Sequence, residues 1–377
     1  MATALPSSPA AAQQAPSQPA TAAAPRLYSL DAFRGMTMVW MFSAAFGLHH
    51  LKDSTLLGIP LAGLERQFTH ADWHGMYAWD LIQPFFMFIV GVAMPFSFAR
   101  RRKDHPAGSQ SEWLHVLKRC ALLLLLGTMA RSISAGKPVL DVINVLGQLS
   151  VTYLLAYLVL DRGWKVQLGF TAMLLAIHWA FYNFATDPGG LITGPYDKNA
   201  NPGWWLDGVV FGKHWGGGYA TINCISSASA TIFGMMTGHW LRSQHSPELT
   251  IRRLLTAGLI AAAIGLALSP VIPINKKIWT ASFACVSTGI TLWTLALFYW
   301  LCDVQQWRRW AHVFAVVGMN SIFIYLFHEM LYRWLRNAGV VFTSWAIDWW
   351  GPWGQAMNEC LVVAFQIYVC FWLYRHR

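Results

Sequence analysis

Apolar residues run along this chain in stretches of about twenty, broken by short polar segments, without the strict alternation of half-buried strands. At about 20 residues per bilayer crossing, the pattern predicts about ten helical spans, at 32–50, 76–98, 114–132, 141–160, 165–184, 219–240, 252–272, 279–301, 311–332 and 356–374. Asn144, Gln148 and Ser150 dilute the fourth, and Asn223, Ser226, Ser227 and Ser229 dilute the sixth. Such polar, small-residue helices pack inside a bundle, away from lipid. The expected fold is therefore all-α: a polytopic membrane protein with about ten transmembrane helices in one bundle.

Composition supports that class. Hydrophobic residues make up 55% of the chain and charged residues only 12%, against about 25% charged in an ordinary soluble domain. The net charge of +10 does not mark a nucleic-acid partner, because Lys and Arg lie in short clusters between apolar runs. They act instead as orientation signals. With both termini in the cytoplasm, 17 of the 27 Lys and Arg residues fall inside; Lys276, Lys277, Arg333 and Arg336 are the notable exceptions. This predicts a multi-pass protein of the plasma (bacterial inner) membrane, with Asp31 and Arg34 at the cytoplasmic end and His70 at the opposite one. Residues 1–25, rich in Ala, Pro, Gln and Ser, are expected to form a disordered arm without signal-peptide features. Residues 26–377 form the single membrane domain. The six cysteines fall in or beside apolar runs with no CxxC spacing, which predicts structural thiols.

Ionisable side chains in the first two spans demand a reason, since each costs roughly 2.5 to 3.5 kcal/mol on insertion scales. His70 and His74 would share a face if their segment were helical, the spacing of zinc proteases. Ala71 replaces the glutamate such a site needs, so no metal is expected. On residue type alone, His70 is either a general base near neutrality or a cap at the membrane surface. Asp80, seven residues beyond Trp73, either orients that histidine or pairs with a cation between helices, and Pro84 is expected to perturb the helix just beyond it. Asp31 and Arg34 form a local ion pair or offer a guanidinium to a phosphate. Two further external segments, 186–218 and 337–355, are rich in Trp. Trp204, Trp205 and Trp215 in the first could stack on sugar faces or anchor a headgroup belt. No phosphate-cradle, nucleotide or serine-hydrolase motif and no internal repeat is present.

Three blocks together, RLYSLDAFRGMTM (26–38), HADWHGMYAWDLIQPFFMFIVGVAMPFSFARR (70–101) and VVGMNSIFIYLFHEML (316–331), resemble the heparan-α-glucosaminide N-acetyltransferase family and its bacterial relatives. The resemblance implies a transmembrane acyltransferase that draws acetyl-CoA from the cytoplasm and acetylates an amine or hydroxyl of an amino sugar beyond the membrane. It assigns His70 as the catalytic residue, acting as general base or transient acetyl carrier, and Asp80 as its companion. Asn320, Ser321 and His328, with Asp31 and Arg34, become candidate acetyl-CoA contacts; Trp73, His74 and Trp215 are candidates for the acceptor. It also implies a homodimer among membrane lipids. Ala45 stands where lysosomal members carry Asn and Gln83 where an aromatic residue is usual, so a cell-envelope glycan or small amino sugar is the expected acceptor. The competing function is a transporter or flippase for a glycan or amphipathic solute.

Overall fold

Helix is found within every one of the ten apolar stretches, though not always along its whole length, in the computed structural model of the chain, which describes residues 27–104, 106–243 and 246–376. The expected arm at 1–25 lies outside them. The helices are α1 (Tyr28–Phe42), α2 (Ala62–Gln67), α3 (Ile82–Arg101), α4 (Gln110–Ala135), α5 (Val145–Leu158), α6 (Trp164–Phe184), α7 (Pro202–Phe211), α8 (Asn223–Arg242), α9 (Pro247–Leu268), α10 (Ala281–Tyr299), α11 (His312–Met319), α12 (Ser321–Trp350) and α13 (Pro352–Arg375). A two-stranded hairpin, Thr55–Leu56 with Ile59–Pro60, is the only sheet among the described residues.

Local chemistry sets many of the boundaries. Ser109, Asn144, Asn201, Ser246 and Thr280 each accept a backbone N–H from the first turn of α4, α5, α7, α9 and α10, the N-cap that satisfies an otherwise orphaned donor. Pro202 and Pro247 follow at the first helical position, where the missing N–H costs nothing.

Among the described residues, five helical segments are long and apolar enough to cross a membrane: Ala78–Arg101, α4, α9, Ala281–Val304 and α13, or six if the bent pair α11–α12 counts as one. Helices α6 and α8 have 21 and 20 residues but are less apolar, and α1 and α5 have only 15 and 14. The diluted helices α5 and α8 lie inside, as their polarity predicts: Gln148, Ser150, Thr152, Ser226, Ser227 and Ser229 are all buried.

Three expectations change. The stretch 32–50 is not one helix, because α1 stops at Phe42 and Ala44, Ala45, Phe46 and Gly47 all take positive φ. The stretch 311–332 is broken by 80° between Met319 and Ser321. Residues 337–350, expected as an external segment, continue α12; Gly339 stays within the helix, set close against Asn358, and the turn comes only at Gly351, at φ 54°.

Several crossings bring backbones into contact, among them those of α1 with α11 and of α3 with α8. A Cβ on Gly35 would lie 1.6 Å from Phe314 O and one on Gly318 2.0 Å from Asp31 O, so α1 and α11 meet without side chains between them. Gly91 and Gly234 do the same for α3 and α8. Small residues at such crossings are how helices associate where water supplies no driving force. The six cysteines are unpaired; Cys285, Cys302 and Cys370 are buried and Cys120 and Cys224 partly so, whereas Cys360 is exposed.

Polar groups gather at opposite ends. At one, Asp303 accepts from the backbone N–H groups of Tyr28 and Ser29, and the Tyr28 hydroxyl meets His312. At the other, the loops around 70–77, 196–221 and 274–277 converge.

Candidate active site

Residues 70–77 form no helix, so His70 and His74 do not share a helical face, nor do Trp73 and Asp80. The reason lies at Gly75, which adopts φ 94° and donates its N–H to Ile274 O at 2.8 Å, bridging to Asn275. This crossing to the α9–α10 loop requires an irregular chain. Helix resumes as a 3-10 turn at Ala78–Leu81 and then as α3. Pro84 falls in the first turn of α3, where it needs no partner, so it opens the helix and does not distort it.

That turn carries Asp80, only 1% exposed, back toward the loop. Its Oδ1 is 2.7 Å from His70 Nδ1, and its Oδ2 accepts from the backbone N–H groups of Ala71 (3.2 Å) and Tyr77 (3.0 Å). Three donors around one buried carboxylate suit the ionised form. A carboxylate on Nδ1 selects the tautomer that carries its proton there, leaving Nε2 with a free lone pair. The His70 side chain keeps 41% of its surface open, so a substrate can reach it. Its neighbours nevertheless crowd it: desolvation, then Lys276 and Lys277, lower its pKa against the opposing pull of Asp80. Neutral imidazole, the form that accepts a proton, is thereby favoured.

The flanking loops complete the mouth. Trp73 donates Nε1–H to Tyr196 O at 2.6 Å, and its ring lies against Gly218, where a Cβ would come within 2.5 Å of Cζ3. Lys277 Nζ donates to Asp72 O at 2.9 Å, and Lys276 Nζ to the Tyr219 hydroxyl at 2.9 Å. His74 is exposed beside Trp73. Trp215 is largely buried, with Nε1–H on Thr221 Oγ1 and Lys213 over its ring at 4.2 Å. Trp204 stacks on His214 at 3.4 Å. One face of each ring is thus occupied within the protein. Behind the mouth, Asp207 is buried with its pKa raised by desolvation.

Below Asp80 a ladder of buried polar side chains descends between helices. Gln83, one turn further along α3, donates to Gln148 Oε1 at 2.8 Å, and Thr231 on α8 meets Thr152 on α5 at 3.1 Å.

The remaining candidates lie apart from this mouth. Arg34 is 3.8 Å from Asp31 near the start of α1. The α1–α11 crossing sets Asp31 against Gly318, two residues before Asn320. Asn320 is buried in the break, its side-chain amide donating to Val316 O, and Ser321 begins α12. His328 contacts Gln366 Oε1 at 3.2 Å and lies between the rings of Phe42 and Tyr332. Asp31, Arg34, Asn320 and Ser321 therefore share one neighbourhood, while His328 sits near the other end of α1. Lys276, Lys277 and Tyr219 were missed as site residues. Their signal was present, because the two lysines break the charge asymmetry of the loops.

Residues 26–199 match the family model described as "Heparan-alpha-glucosaminide N-acetyltransferase, catalytic". The chain is also 24% identical over 385 aligned positions to the Homo sapiens protein named heparan-alpha-glucosaminide N-acetyltransferase, covering 83% of this chain and 55% of that relative. It thus spans about half the length of the curated relative it matches. The resemblance carried by the three sequence blocks is borne out.

Proposed function

We propose, with the catalytic-family match over residues 26–199 as premise, that this chain is a transmembrane acetyltransferase whose catalytic base is His70. The observation that carries the reading is the His70–Asp80 pair, a buried carboxylate on Nδ1 of an accessible imidazole. Acetyl-CoA is the donor, entering from the end that holds Asp31, Arg34, Asn320 and Ser321, with Arg34 taking a phosphate and His328 lining the inner part of the route. The buried ladder from Gln83 through Gln148 to Thr152 and Thr231 supports a polar passage toward His70.

At the mouth, the acceptor is an amine, or a hydroxyl, of an amino sugar or cell-envelope glycan held by Trp73, His74 and Trp215. His70 Nε2 takes the proton as the nucleophile forms its bond to the thioester carbonyl, and Asp80 stabilises the imidazolium. The ammonium of Lys276 supplies positive potential for the oxyanion of the tetrahedral intermediate. Collapse breaks the C–S bond, and the proton on His70 passes to the departing thiolate. An acetyl-histidine intermediate is the two-step variant of the same site. In this reading the chain crosses the bacterial inner membrane about ten times, the bent α11–α12 pair counting as one crossing, with both termini cytoplasmic and the chain assembled as a homodimer.

Purified protein incubated with radiolabelled acetyl-CoA and a panel of hexosamines tests the proposal. Labelled product that is lost in His70→Ala supports it. Solute flux without acyl transfer would instead make the chain a carrier.

A further inference from the structure

A second histidine cluster lies away from His70, where α1 gives way to the left-handed turn. Ala44, Ala45 and Phe46 hold φ of 45°, 55° and 50°, followed by Gly47 at 71°. Consecutive non-glycine residues in this region cost roughly 1–2 kcal/mol each and persist only where the surroundings over-determine them. Here the turn is pressed onto α13: a Cβ on Gly47 would lie 2.5 Å from Ala356 Cα and 3.3 Å from Glu359 Cγ. The next residues to emerge are His49 and His50.

From this geometry we propose that His49, His50 and Glu359 form a site for a divalent transition metal of the Zn2+ class, which clasps the end of α1 to α13. One ligand atom from each lies within 4.8 Å of the other two. His50 Nε2 is enclosed and has no hydrogen-bond partner among the described residues, although buried polar atoms are nearly always paired. Glu359 is 1% exposed, and its carboxylate is oriented by the Tyr332 hydroxyl at 3.1 and 3.0 Å and by Arg336 Nε at 2.9 Å on Oε1. Oε2, which accepts from the Tyr332 hydroxyl at 3.0 Å, is the oxygen assigned to the metal. Two imidazoles and one carboxylate are a zinc donor set that keeps a fourth position for water, and exposed His49 provides the way in.

The two rings lie 3.8 Å apart between centroids, a poor arrangement for two imidazolium charges and a workable one for neutral rings converging on a cation. Arg336 is the local competitor for the carboxylate, but its side chain is 44% exposed and can withdraw into solvent. The site was hidden in the sequence because His49 and His50 fall at the end of an apolar stretch, far along the chain from Glu359.

The full chain, purified without a histidine tag and stripped with a chelator, is titrated with Zn2+ against a colorimetric competitor, and with Co2+ to read its visible d–d absorption. The expected result is one tight equivalent, weakened at least tenfold in His49→Gln and in His50→Gln, with His74→Gln binding as the unaltered chain does. Because His49 is exposed, its substitution leaves the fold in place, which circular dichroism and elution volume verify. Zn2+ should also raise the melting temperature of the unaltered chain and leave that of His49→Gln unmoved. Equal affinity in the unaltered chain and the His49→Gln variant, no tight equivalent at all, or loss of binding on substituting His74 would each overturn the assignment.

Discussion

The ammonium of Lys276 and the hydroxyl of Tyr219 meet at 2.9 Å, and this bond holds a positive charge beside His70. Lys276 is one of the groups that lower the His70 pKa below its usual 6.5. Acetyl transfer should rise with pH through a midpoint below 6.5 and then level off as imidazole becomes neutral. Replacing Lys276 with Met removes one downward influence, so the midpoint should move up toward neutrality. A pH–rate profile of the variant identical to that of the unaltered chain would remove Lys276 from this role.

For the pair itself, His70→Ala should cost about 100- to 10,000-fold in turnover, the usual contribution of a positioned base. The KM for acetyl-CoA should change little. Asp80→Asn keeps the shape but loses the charge that raises the His70 pKa. Its rate should fall, and the acidic limb of its profile should move to lower pH, opposite to Lys276→Met. Steady-state kinetics across pH separate the two directions.

The same depression of the His70 pKa has a stability counterpart. Between the folded pKa and 6.5 the unfolded chain binds more protons at this position than the folded one does, so stability falls as pH drops through that window. Melting temperatures of the unaltered chain should decline there more steeply than those of His70→Gln. Equal slopes would mean that the histidine titrates alike in both states.

Backbone contact between α1 and α11 makes a separate forecast. Gly318→Ala would set a methyl 2.0 Å from Asp31 O, whereas Gly63→Ala in α2 meets nothing within 4 Å. Forcing the helices apart should cost about 1–3 kcal/mol, as overpacking does, and lower the melting temperature; the Gly63 variant should melt as the unaltered chain does.

Arg34→Ala tests the donor end. The affinity for CoA, measured by calorimetry in detergent, should fall while acceptor binding stays the same. Unchanged affinity would remove Arg34 from donor binding.

Helix positions were legible because a span needs length and apolarity, and both are written locally. The placement of α5 and α8 inside the bundle was equally legible from their serines, threonines and amides. The path of residues 70–77 was not, because the bond from Gly75 to Ile274 that unwinds it is made across the fold. The break at Asn320 was hidden for a related reason: neither proline nor glycine stands at the bend itself, and its amide satisfies the Val316 carbonyl. His70 and Asp80 could be singled out by residue type and resemblance, but their direct bond needed the 3-10 turn at Ala78–Leu81. Lys276 and Lys277 were visible only as misfits to a charge rule, and these two misfits border the site.

Helix α11 has eight residues and so rises about 12 Å before the chain swings aside, well short of the ~30 Å hydrocarbon slab. A cleft opening at the α1 end needs only that shallow depth to reach Asn320. In the proposed reaction, thickness would then be shared out: the donor descends part of the way, the acceptor waits at the opposite rim, and neither has to cross the whole barrier.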